Sequence, residues 1–249
     1  MELLKISAVS YLNTFPFVYG IRESGLLTNY HLELDIPSIC ARKLKDNEVD
    51  VALIPVGALS DLPSYQFVAD FCIGAVNKVK TVLLLSHMPL DQITEIGLDY
   101  DSRTSVQLVK VLAKYFWKIA PEWKNLLPGQ VSKDDAPEAI VAIGDKTFGM
   151  VKKYPYCYDL ADEWIKFTSL PFVFAAWVSN KPVPEESKKA LNDALEFGVK
   201  HIKETLGYFR DRLPADEDCY SYLTRNISFF LDEEKKKGLN LFLDYLRKP

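Results

Sequence analysis

Residues 6–17 read I-S-A-V-S-Y-L-N-T-F-P-F, and the chemistry in them is concentrated at Ser10, Tyr11, Asn13 and Thr14. These side chains offer hydroxyls and one amide but no charge, a set that orients a small polar ligand through hydrogen bonds without repelling it. The apolar run over residues 3–9 predicts a first strand, which would deliver the four groups just beyond its carboxyl end. Ligands of open α/β sheets bind there. Pro16 restricts Phe15 and suits the entry to a helix. The plain alternative is a strand followed by an ordinary polar turn.

A second constellation is Ser102-Arg103-Thr104-Ser105, which opens a segment of helical spacing. Unpaired N–H groups and the helix dipole at such a start favour an anion by about 0.3–1 kcal/mol, and by up to ~2 kcal/mol when partly buried. Arg103 could add a charge-assisted contact. Equally, Ser102 or Thr104 could simply cap the helix, leaving Arg103 in solvent. Gly144-Asp145 follows a short apolar run, and a glycine there lets a ligand approach the backbone. Asp145 could instead cap the next helix. His31, His87 and His201 form no group, and only His87 is placed near a crossing between the expected lobes.

Other chemistries lose ground. The chain has no G-x-G-x-x-G, Walker, H-E-x-x-H or G-x-S-x-G motif. Cys40, Cys72, Cys157 and Cys219 are isolated, which reads as reduced, buried thiols rather than a metal or disulfide framework. The formal charge of -4 comes without a basic stripe, so nucleic acid is not an expected partner. No run approaches the roughly 20 apolar residues that span a bilayer, and the first residues lack the regions of a secretory signal. A cytoplasmic protein that does not engage membranes is expected. Its oligomeric state is left open.

With 48% hydrophobic residues the 249-residue chain can bury a large core. Strands are predicted at 32–36, 49–56, 66–73 and 80–86, with helices at 18–27 and 39–46, the latter capped by Ser38. Strand alternating with helix predicts parallel βαβ units. A second series follows: a strand at 95–98, a polar turn at 99–105, a helix at 106–117 and a strand at 139–143. The apolar run at 171–178 leads back to the first lobe. Helices are expected at 185–206, 221–231 and 233–246, with Lys235-Lys236-Lys237 on a solvated face. Trp117, Trp123 and Trp164 read as packing at helix ends, with Trp177 on the return crossing. The expected architecture is thus a two-lobed α/β protein with a ligand cleft between lobes. Residues 1–88 and 178–249 form the first lobe, and 89–177 form an inserted second one.

Four motifs in order carry a resemblance: S-Y-L-N-T-x-P-F from Ser10, S-R-T-S-V from Ser102, I-G-D from Ile143, and L-P-F-V-F-A-x-W at 170–177 after the Y-D-L-x-x-E-W run at 158–164. Together they resemble the chorismate dehydratase family of the futalosine route to menaquinone. That resemblance implies a fold like periplasmic binding proteins of the second type, turned to catalysis. It implies removal of water from chorismate, as the small-molecule substrate, to give 3-(1-carboxyvinyloxy)benzoate, with no cofactor and no metal. It maps the key catalytic residue onto Asn13, with Ser10, Tyr11 and Thr14 as neighbouring substrate contacts. The carboxylate anchor falls on Ser102, Arg103, Thr104 and Ser105, a hydroxyl contact on Thr81, and pocket contacts on Gly144 and Asp145. Thr81 stands where the family more often has serine. Thr147 and Phe148 replace smaller or aliphatic residues after I-G-D. The alternatives are a non-catalytic binder of small anions on the same fold, and the dihydroxynaphthoate-forming synthase of the same pathway. The latter's Pro- and Asp-bearing turn is not matched by Asn13-Thr14-Phe15-Pro16.

Overall fold

The apolar run near the start forms β1 (Leu4–Val9), with every side chain buried except that of Lys5. The computed structural model describes residues 3–99, 102–127, 137–215 and 217–248. They fall into two compact units, the first made of Met1–Gly74 with Val173–Asp232 and the second of Ala75–Phe172 with Glu233–Pro249.

In the first unit β1 lies between β2 (Tyr30–Asp35) and β3 (Val51–Pro55) and runs parallel to both. The connections are α1 (Phe15–Glu23) and α2 (Pro37–Lys45). Each carries a proline in its first turn, where no intrahelical N–H bond is lost. Pro37 rather than Ser38 starts α2, and no side chain caps it, which corrects the expected Ser38 cap. Beyond β3 come β10 (Phe172–Ser179), β4 (Gln66–Ala75) and β11 (Ser228–Phe230). β10 is antiparallel to β3 and β11 is antiparallel to β4. Parallel pairing therefore holds where strand and helix alternate locally, while strands returning from far along the chain run the other way.

The core of this unit is aromatic. The ring of Phe17 meets the edges or faces of Phe71, Trp177 and Phe229 at 6.1, 5.9 and 5.3 Å between centroids. Such pairs add ~0.5–1.5 kcal/mol each beyond the area they bury. Against α1 lies α6 (Glu185–Lys200), and the two backbones approach at glycines. A methyl group at Gly20 would overlap the Ala194 carbonyl oxygen, and one at Gly198 would overlap the carbonyl oxygen of Pro16.

The second unit is built on a sheet ordered β7 (Glu122–Asn125), β6 (Glu95–Leu98), β8 (Ala139–Ile143), β5 (Val82–Ser86), β9 (Tyr156–Asp159). β6 is parallel to β7 and β8, and β5 is antiparallel to β8 and β9. Because β5 is hydrogen-bonded inside this sheet, the unit begins at Ala75, not after residue 88. Its other late part is α9 (Glu233–Arg247), whose Phe242 and Tyr245 meet the fully buried Trp164 of α5 (Leu160–Thr168). The expected assignment of all residues from 178 onward to the first lobe is corrected by those rings, and β10 places 173–177 in the first unit.

Three further expectations are corrected. The predicted helix at 185–206 breaks at His201 into α6 and α7 (Ile202–Tyr208). The segment 221–231 is not one helix. A short α8 (Cys219–Ser221) and a π turn give way to β11, which extends the sheet edge beside β4. Lys235 is buried, because the register that puts Leu239, Phe242 and Leu243 inward brings it along. Among the cysteines, Cys40, Cys72 and Cys219 are buried and not in disulfides, but Cys157 on β9 is exposed. No helix among the described residues is long and apolar enough to cross a membrane.

Two outcomes test this packing. Gly198→Ala overpacks the contact with α1 and costs ~1–3 kcal/mol, lowering Tm by about 2–4 °C per kcal/mol. Gly207→Ala, where a methyl group meets nothing within 4 Å, leaves Tm unchanged or raised. Thermal melts followed by circular dichroism compare the two. Burial pushes the Cys40 thiol up to about 12 and also raises that of Cys157, but Cys157 alone among the four cysteines is exposed, so a thiol reagent near neutral pH modifies it first. Titration of more than one fast thiol in the native chain would contradict the packing around the other three.

Candidate active site

Asn13 sits in a 3-10 turn, Leu12–Thr14, between β1 and α1. The Thr14 N–H closes the turn on the Tyr11 carbonyl at 2.9 Å. Thr14 is fully buried, and its hydroxyl donates to the Asn13 amide oxygen at 3.2 Å. Asn13 is only partly buried, and with its oxygen accepting from Thr14 its amide nitrogen remains a donor. Ser10 and Tyr11 are also partly buried. The Ser10 N–H donates to the Asp35 carbonyl at the end of β2. Asp35 is anchored in turn, its carboxylate accepting from the Ser7 hydroxyl at 2.8 Å and from Lys43 at 2.7 and 2.8 Å. Burial works against the Lys43 charge, but the bonds to Asp35 and Glu33 outweigh it and raise its pKa. This turn is thus tied down at its end by an ion pair and at its far side by the core of α1.

In the second unit Thr81, Ser102–Ser105 and Gly144-Asp145 converge on one end of the sheet. The Gly144 N–H donates to the Thr81 carbonyl at 2.9 Å, and Gly144 takes φ +72, a left-handed backbone open to glycine. Its carbonyl accepts from the Thr147 hydroxyl at 2.8 Å. Thr81 follows Lys80, which holds φ +66 and donates its N–H to the Asp159 carboxylate at 2.7 Å. Burial raises the Asp159 pKa, against several backbone N–H donors that lower it. The backbone at Thr81 and Gly144 is thereby fixed.

Arg103, not Ser102 or Thr104, holds the N-cap position of α3 (Thr104–Val111), and Ser102 sits one residue before it. The Ser102 hydroxyl oxygen accepts from the Ser105 N–H at 3.1 Å at the start of the helix. Its proton remains able to donate. Thr104 and Ser105 are buried, whereas Arg103 is exposed. Asp145 occupies the position before α4 (Lys146–Met150), but its side chain makes no capping bond there. Tyr100 and Asp101 of the same polar turn lie outside the described residues.

Sequence reasoning missed the group that joins these loops. Asp99, 2% exposed, forms an ion pair with Lys146 at 2.6 Å, and the Ile143 N–H donates to its carboxylate at 3.3 Å. Its carbonyl accepts from the Ser102 N–H at 3.2 Å. One residue therefore links the end of β6, the end of β8 and the entries to α3 and α4. The signal was an acid placed at the end of a buried strand, and only the three-dimensional register shows what it meets. The histidines stay apart: His31 pairs with Glu33, His87 stacks on Tyr154 and His201 bonds the Phe197 carbonyl. No group of three or more His, Cys, Asp or Glu that could hold a metal ion occurs among the described residues.

A family model described as menaquinone biosynthesis matches residues 4–248. The chain belongs to this menaquinone-biosynthesis family. Within it, the chain is 25% identical over 96% of its length to a chorismate dehydratase of Thermus thermophilus, of which it covers 93%. The motif resemblance is thereby upheld at the level of the family. A protein of Archaeoglobus fulgidus has the same fold, with TM-score 0.78, 15% identity and coverage of 98% of this chain and 96% of that one. The aliphatic sulphonate binding protein SsuA of Escherichia coli follows at TM-score 0.62 and 13% identity, covering 100% of this chain and 94% of that one. A Candida albicans protein of the generic periplasmic binding protein fold gives 0.66 at 15%, over 100% and 92%. The family member described here therefore has the periplasmic-binding-protein-like α/β fold.

The Asp99 link makes a defined expectation. Asp99→Ala leaves Lys146 and the Ile143 N–H without their carboxylate. Lys146 is 32% exposed and regains water, so the loss falls at or below the low end of the ~3–5 kcal/mol typical of a broken buried pair. Denaturant unfolding measures it. A change within experimental error would remove Asp99 from its linking role.

Proposed function

We propose that the protein is a chorismate dehydratase, eliminating water from chorismate to give 3-(1-carboxyvinyloxy)benzoate. The observation that carries this reading is the near full-length similarity to a named chorismate dehydratase within a menaquinone-biosynthesis family. The set-up of Asn13 supports it. With the amide oxygen engaged by Thr14, this reading assigns the amide nitrogen as the group that meets the substrate. On this reading Asn13 is the catalytic residue. Ser10, Tyr11 and Thr14 shape its surroundings, and Ser102, Arg103, Thr104 and Ser105 hold a carboxylate. Thr81, Gly144 and Asp145 line the substrate.

The chemistry asks little of a strong acid or base. A ring C–H bond and the neighbouring C–O bond break, a ring double bond forms, and the proton leaves with the hydroxyl as water. The ring becomes aromatic, so the product side lies far downhill. The enzyme's task is to hold one conformation and steer which group departs. Asn13 donates to the side-chain carboxylate of chorismate and orients it as the base that takes the ring proton. The same amide dipole stabilises charge that develops in the transition state.

Purified protein mixed with chorismate, without added metal or nucleotide, is expected to yield a product lighter by one water in mass spectrometry. Asn13→Ala should cut kcat by about 10²–10³-fold, the cost of losing one oriented donor. A fall of less than about tenfold with unchanged binding would overturn the role of Asn13. Thermal stabilisation by chorismate without turnover would favour a non-catalytic binder on this fold.

A further inference from the structure

The turn that carries Asn13 has no charge of its own, yet chorismate is a dianion. The charge arrives from a distant part of the sequence. Arg212 closes a short 3-10 turn, Arg210–Arg212, after α7, and its own N–H donates to the Phe209 carbonyl at 2.8 Å. One guanidinium nitrogen, Nη2, donates to the carbonyl of Ser10 at 3.2 Å. The guanidinium carbon lies 4.9 Å from the centroid of the Phe15 ring and 5.8 Å from that of Phe209. Those two rings are stacked at 4.2 Å and are themselves buried.

We propose that Arg212 is a substrate-recognition residue that pairs with a carboxylate of the bound dianion beside the Ser10–Thr14 turn. This rests on the chorismate reading. A guanidinium carries five N–H donors in a planar fork, and the Ser10 carbonyl engages one edge of it. The rest of the fork suits two parallel bonds to a carboxylate. No carboxylate pairs with Arg212 among the described residues, whereas Arg42 and Arg247 are paired with Asp46 and Asp244 on or beside their own helices. The aromatic stack beneath holds the side chain in place, so little further ordering is needed on binding. Its neighbour Asp211 is exposed and associates with Arg210.

Arg212→Gln and Arg212→Lys, assayed with chorismate, test the assignment. Arg212→Gln should raise KM by about 10–100-fold, as expected for a lost charged hydrogen bond, with a much smaller change in kcat and an unchanged Tm. Arg212→Lys should recover part of the KM, keeping the charge but not the fork. The wild-type KM should rise with added salt more steeply than that of Arg212→Gln. An unaltered KM overturns the proposal. So does a loss confined to kcat and Tm, which would reduce Arg212 to a support for the Ser10 carbonyl. If the wild-type chain binds chorismate without turning it over, the dehydratase reading falls, and the ratio of Kd values for wild type and Arg212→Gln decides Arg212 alone. If it neither binds nor converts chorismate, both fall.

Discussion

The first unit depends on one constraint, the abrupt passage from β1 into α1. The strand ends, a single 3-10 turn follows, and by Phe17 the chain is already inside the aromatic core. That passage tolerates no slack, because α6 touches the backbone of α1 at its first turn through Gly198 and Pro16. The turn is then fixed on its outer side by Asp35, which Lys43 and Ser7 hold in place. Residues of modest chemical strength become useful when they are placed this firmly. A side chain held in place before binding loses little entropy when a ligand meets it.

The second unit solves the same problem by another device. Its loops are gathered by one buried carboxylate, Asp99, and by the left-handed backbone at Lys80 and Gly144. Lys146 pairs with that carboxylate and offsets its charge beside the start of α3. The fold thereby places a buried negative charge close to its candidate anion anchor and cancels it locally.

Much of this was legible in the sequence, and the reasons for the gaps are specific. β3 and β8 announced themselves as short runs of buried β-branched and aliphatic residues, and β10 did so through P-F-V-F-A-A-W-V. The S-Y-L-N-T turn was readable because polar residues interrupt an apolar strand at a proline-led helix. The failures came where pairing is decided far away. β5 looks like any apolar strand, and only its bonds to β8 and β9 assign it to the second unit. β11 lies in a stretch with helical spacing, and the open edge of β4 overrode that local preference. Lys235 was misread because an apolar helix face can carry a long aliphatic stem inward. Asp99 and Arg212 escaped notice because their partners stand many residues away, at positions that spacing along the chain does not reveal.

The partition of the chain between the two units has a consequence for how the molecule comes into being. Each unit is assembled from two separate stretches, Met1–Gly74 with Val173–Asp232 and Ala75–Phe172 with Glu233–Pro249. Neither is finished when its first stretch leaves the ribosome. The first sheet waits for β10 to fill the gap between β3 and β4, and the second waits for α9 to cover Trp164. Nascent chains therefore pass through a stage in which both cores exist in part, with apolar surface open and long loops still to close. Such non-local closure slows folding and exposes the chain to aggregation. The helix α9, which packs on Trp164 and on α3, is the piece that ends that exposure, and its loss would be felt first in yield and persistence.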